Sequence, residues 1–122
     1  MRLKGSSMSV VTVLVRGSAF GSRRTAEAMR MSVGQTLGDH DVRLVFAEDA
    51  VYVLDADARP AMISGGDVER PIETLRMLGK AMYAESESLD ARDVTELPAG
   101  VERIARVDLA AMLADSDVVL TW

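Results

Sequence analysis

The 122-residue chain contains no cysteine, so disulfide, thiolate and persulfide chemistry are all excluded from its own side chains. It also lacks any apolar run of about 18 residues, and no apolar segment precedes a cleavage site, so neither a membrane span nor a secretory leader is expected. The cytoplasm is the expected compartment. Positive charge is in short supply: 14 Lys and Arg against 19 Asp and Glu leave a net charge of −5, which argues against a broad contact with nucleic acid. No serine lies in a G-x-S-x-G elbow, which leaves hydrolase chemistry little support. There is one histidine, His40, flanked by Asp39 and Asp41. Side chains adjacent in a turn do not form one catalytic line, so His40 reads as a surface turn residue. No metal site and no cofactor are expected.

What is present fits one compact domain. With 48% hydrophobic residues, a chain of this length buries roughly two thirds of its unfolded surface without disulfide or metal staples. Residues 1–9, with Gly5-Ser6-Ser7 and two basic residues, read as a flexible leader. Val10 to Val15 is a β-branched, apolar run, expected to be a strand buried on both faces. Ser22 is placed to cap a helix from Arg23 to Leu37, with Gly38 to stop it, and Val42 to Ala47 reads as a second strand. Strand, helix and strand over this span match a right-handed βαβ unit.

Glu48 to Leu54 reads as a short helix in preference to a continuing strand, because an acidic pair opens it. Asp55 to Asp67, with Pro60 and Gly65-Gly66, reads as a loop; a helix follows from Pro71 to Leu78, with Pro71 in the first turn and Gly79 as its stop. Ala81 to Ala84 is a third strand, Leu89 to Val94 a helical turn, Val101 to Ala105 a fourth strand, Val107 to Ala114 a helix and Asp117 to Thr121 a buried final strand. The alternation predicts an α/β domain: a five-stranded, mostly parallel sheet with helices on both faces. Most of the eight methionines are expected to fill gaps in the core. Trp122 is either pinned against the fold or offered to another subunit.

Ligands approach an open α/β sheet at the carboxyl ends of its strands. One such end carries Gly17, Ser18, Phe20, Gly21 and Ser22, followed by Arg23 and Arg24, where small residues and free amides at a helix start suit a phosphate or carboxylate. The segment lacks the lysine of a P-loop and the spacing of G-x-G-x-x-G, and a tight β-to-α connection is its plainer reading. Glu48, Asp49, Glu85 and Glu87 lie at two further strand ends, where converging carboxylates could share a proton or hold a cation; solvated acids are the commoner outcome.

Val10 to Val15, the Arg16-Gly17-Ser18-Ala19-Phe20-Gly21-Ser22 loop, Ala26-Glu27-Ala28-Met29-Arg30, Val42 to Asp49 with Ala50-Val51-Tyr52, and the ending Ala114 to Trp122 together resemble the DsrE/DsrF-like family. This family holds the sulfur-relay subunits DsrE, DsrF, DsrH, TusB, TusC and TusD, and the DsrF/TusC type is the nearest in flavour. The resemblance implies a five-stranded α/β sheet, assembly into homo- or hetero-oligomers with related subunits and, in carrier subunits, a cysteine after the third strand that bears persulfide sulfur. Glu85 stands near that position here. A carboxylate cannot replace a thiolate that both attacks and leaves, so sulfur carriage by this chain is excluded. The favoured expectation is a non-catalytic structural or regulatory subunit linked to sulfur metabolism. The alternative is a small-anion-binding protein or an enzyme that uses the acids at the strand ends.

Overall fold

The computed structural model describes residues 9–16, 23–36, 40–55 and 65–122; for residues 23–26, 29, 35–36 and 65–69 it describes the backbone alone. Five strands, β1 (Val10–Val15), β2 (Asp41–Phe46), β3 (Ala81–Glu85), β4 (Val101–Ile104) and β5 (Val118–Thr121), form one sheet in the order β4-β3-β2-β1-β5. Every pairing is parallel. The helices are α1 (Arg23–Thr36), α2 (Gly65–Met77), α3 (Ser86–Ala91) and α4 (Arg106–Asp115), and a 3-10 segment spans Glu48–Leu54. The α/β class, the single five-stranded sheet and helices on both faces match the sequence expectation.

Strand alternation assigns each side chain to a face. Leu120, Val13, Leu44, Met82 and Val101 lie side by side in one row across all five strands. This row belongs to the larger core, which Ala28 of α1, Ile72 and Leu75 of α2, Leu89 of α3 and Val51 and Val53 of the 3-10 segment close over. The next row, with Leu14, Val45 and Tyr83, faces the other way. It packs on Leu109, Met112 and Leu113 of α4, which make up the helical side of a smaller cluster.

Topology explains this division. From β1 to β4 the chain steps in one direction across the sheet, and its connecting helices share a face; from β4 it returns past three strands to β5, and the right-handed rule for parallel crossovers then puts α4 on the opposite face. The loops after β3 and β4 therefore leave toward opposite faces. A crevice opens between two such strand ends.

Three expectations need correction. The helix expected from Pro71 begins at Gly65, so Gly65-Gly66 is helical and the loop expected to reach Asp67 ends sooner. Pro71 lies well inside α2, where its missing N–H leaves the carbonyl of Asp67 without its helical bond. The expected stop does hold. Gly79 has φ +72°, and it donates to the Arg76 carbonyl while Lys80 donates to that of Leu75, the paired bonds of a Schellman motif. Second, β5 is an exposed edge and not a buried strand: Val118, on the face of the larger core, and Val119, on the face of α4, are both exposed, because β5 pairs with β1 alone at the edge of the sheet. Third, His40 is half-buried, with Nδ1 buried and without a hydrogen-bond partner among the described residues. Of the methionines, Met82 is in the core while Met77 and Met31 are exposed. Trp122 is pinned against the larger core, its backbone extending the β1–β5 ladder through bonds to Leu14 and Arg16.

Candidate functional site

The carboxyl ends of β1, β2 and β3 continue the alternation for one more residue. Arg16 follows Val15, Ala47 follows Phe46, and Glu85 ends β3, all three on the side that faces α4. With Leu14 and Glu48 they form one wall of a pocket of about 330 Å³, and Arg106, Leu109, Ala110 and Leu113 of α4 form the other. Arg106 is the first residue of α4 and Glu85 the last of β3, so the pocket reaches the crevice where the chain changes faces.

Glu85 is buried, and both of its carboxylate oxygens are occupied. Arg106 Nε donates to Oε2 at 3.1 Å and Arg106 Nη2 to Oε1 at 3.1 Å, a two-pronged grip that suits the planar guanidinium. Ser88 Oγ donates to Oε1 at 2.5 Å, and in turn accepts the backbone N–H of Glu48 at 2.7 Å. One hydroxyl thus links the ends of β2 and β3. The Arg106 bonds hold the Glu85 carboxyl below the ordinary carboxylate range; burial opposes them, and Ser88 and the charge of Arg92 reinforce them. Arg106 is pushed above its own ordinary value by the same contact.

The other acids are engaged as well. Glu87 Oε1 accepts the backbone N–H of Arg106 at 2.9 Å, so a residue of α3 caps α4, whose N-cap Ala105 has no side chain able to do so. Asp49 pairs with Arg92 Nε at 3.0 Å, and Glu48 with Arg16 Nε at 2.9 Å. Arg103 of β4 reaches Ser86 and Asp90 of α3. Glu48 itself has φ +53°, a left-handed conformation that costs a non-glycine residue free energy and places the strain at the pocket edge.

The four acids named from the sequence are therefore near one another, but each is matched to an arginine or a backbone N–H. Among the described residues, no three His, Cys, Asp or Glu side chains gather as a metal-binding set. Gly17, Ser18, Phe20, Gly21 and Ser22 lie outside the described residues, and Arg23 is described only as the backbone that opens α1. Sequence reasoning missed Arg106, Arg16, Arg92 and the bridging role of Ser88. A signal for Arg106 was present: the rule that pointed to the ends of β1, β2 and β3 applies equally to the end of β4, where Ala105-Arg106 follows.

An all-parallel five-stranded sheet with a crevice between β3 and β4 defines the class of molecule, and comparison places it within that class. The chain belongs to the DsrE/DsrF-like family, whose sequence profile matches residues 9–122. Among solved structures it is similar to the ychN protein from E. coli, at 24% identity and a TM-score of 0.79, covering 94% of this chain and 100% of that one. It is also similar to a conserved protein of unknown function, BT1422, from Bacteroides thetaiotaomicron, at 13% identity and a TM-score of 0.65, covering 93% and 95% of the two chains. At these identities the likeness is one of fold. No curated protein matches the chain. Among the described residues, no helix is long and apolar enough to cross a membrane.

Proposed function

We propose that this chain is a non-carrier member of its family: a structural or regulatory subunit of a homo-oligomer or of a hetero-oligomer with related subunits, serving sulfur metabolism in the cytoplasm. The observation that carries the reading is the state of Glu85. Where the family resemblance puts the carrier cysteine, this chain has a buried carboxylate whose two oxygens are filled by Arg106 and Ser88. No other residue can take over the carrier step, since the sequence has no cysteine at all.

The same geometry weighs against an enzyme that works through these acids. General acid–base catalysis needs a carboxyl that exchanges its proton near the working pH, and Glu85 is driven the other way, toward permanent ionisation. Its contacts tie β3, α3, the start of the 3-10 segment and α4 together, which is a structural task. Exposed Val118 and Val119 on edge strand β5, together with Val107 on α4, supply apolar surface for assembly.

Light scattering on the purified chain, alone and with related subunits, tests the proposal. A mass at several multiples of 13.2 kDa, or a stable mixed complex, is expected. A 13.2 kDa species under both conditions overturns it. In parallel, incubation with a labelled sulfane-sulfur donor should leave no covalent label on the chain.

A further inference from the structure

The pocket beside the Glu85–Arg106 pair has a lining that the pair does not explain. Its floor is apolar, with Leu14 and Ala47 from the sheet and Leu109 and Leu113 from α4. Its mouth carries two guanidiniums, Arg16 and Arg106. Arg106 spends Nε and Nη2 on Glu85, and Nη1 keeps its donors without a hydrogen-bond partner among the described residues. Glu85 fixes this guanidinium in place yet has no free oxygen with which to compete for a ligand. Glu48 is the one remaining carboxylate in the lining, and its pair with Arg16 is open to water, the two side chains being 52% and 56% exposed. Such a pair is weak and easily exchanged.

We propose that this pocket binds a small organic monoanion, its carboxylate held by Arg106 and Arg16 in place of Glu48, and its apolar body laid on Leu14, Leu109 and Leu113. The lining selects this class on both counts. A cation meets the donors of Arg106, with both Glu85 oxygens already bonded to that guanidinium and Glu48 paired with Arg16, and an inorganic anion leaves the apolar floor uncovered. About 330 Å³ is at the lower end of small-molecule sites, which favours a compact body over a nucleotide. The acceptor geometry of a carboxylate also matches the fork of a guanidinium already oriented by Glu85. The site differs from the glycine-bounded loop after β1 in that its cations come from the ends of β1 and β4, and it goes beyond the assembly reading, which neither requires nor forbids a ligand.

Titration calorimetry of the full chain with hexanoate and benzoate tests it, with 1-hexanol, hexylammonium and inorganic phosphate as comparators. Either carboxylate is expected to bind at least tenfold more tightly than every comparator. Arg16→Gln should weaken that binding at least tenfold, and Glu48→Gln, which removes the competing carboxylate, should tighten it. Ala110→Trp, on an exposed position of α4 that lines the pocket, should block it. Thermal melts establish that each variant is folded; if Ala110→Trp is not, the Arg16 and Glu48 variants decide. The proposal is overturned if neither carboxylate binds, if hexanol, hexylammonium or phosphate binds as well as they do, if Arg16→Gln leaves binding unchanged, or if Glu48→Gln weakens it. Light scattering on the same samples reports assembly separately, so either result can fail without the other.

Discussion

The two faces of the sheet are built differently. On one, α1, α2, α3 and the 3-10 segment close over Val13, Val15, Leu44, Phe46 and Met82, all almost wholly inaccessible to water. On the other, α4 alone among the described residues crosses the strands; Leu109 is its buried residue, Met112 and Leu113 are half-buried, and Val107 is exposed. Close packing on the first face concentrates stability there. The thin cover on the second leaves room for the pocket and brings the arginine–acid network within reach of solvent. Stability and accessible chemistry are therefore on opposite sides of one sheet.

Truncating a large residue on each face is the strongest way to break that contrast. Phe46→Ala should cost about 3–5 kcal/mol in urea unfolding, and Leu109→Ala about 2 kcal/mol, because α4 can settle into a partly open space. Equal losses would show that the faces contribute alike. Next in size is Glu85→Gln, which leaves one prong of Arg106 facing an amide. It should cost about 1–2 kcal/mol at pH 7, less than a fully buried pair because the Arg106 side chain is 65% exposed.

This loss should depend on pH in a defined direction. The folded-state pKa of Glu85 lies below the usual 4.5, so its contribution is complete above that value and disappears as the pH falls through the lowered folded value. Wild type and Glu85→Gln should therefore converge in stability in acid and separate near neutrality; a constant gap would remove ionisation as the cause. Ser88→Ala should cost about 1–2 kcal/mol, since it leaves the Glu48 N–H and one Glu85 oxygen without their bridge. Glu87→Gln should have the smallest effect, about 0.5 kcal/mol, because an amide oxygen can still cap α4 but loses its charge at the helix N-terminus. Amide hydrogen exchange at Arg106 and Val107 reads that last change locally.

Nearly the whole fold could be read from the sequence because its strands are short, all but β3 carry β-branched residues, and strong stops separate them. Val10–Val15 is apolar at five of six positions, and Gly79 marks the end of α2 by its left-handed φ. The start of α2 was hidden because Gly-Gly and Pro are ordinarily signs of a loop, and here packing of Ile72 and Leu75 against the sheet overrides them. The exposure of β5 was equally hidden: Asp117 to Thr121 has the composition of an inner strand, and only the order β4-β3-β2-β1-β5 puts it at an edge. In the site, the acids could be read and their partners could not. Arg106 is 21 positions from Glu85, and Arg92 is 43 from Asp49, so both pairings come from the sheet order and not from any local motif.

A carboxyl-carbon NMR titration of Glu85 addresses the assignment of that residue most directly. A locked structural ion pair requires its resonance to stay fixed from neutral pH down to the ordinary carboxylate range and to move only below 4.5. A midpoint at or above about 6 would mean that Glu85 holds an exchangeable proton at the working pH, and would contradict the structural role proposed for it.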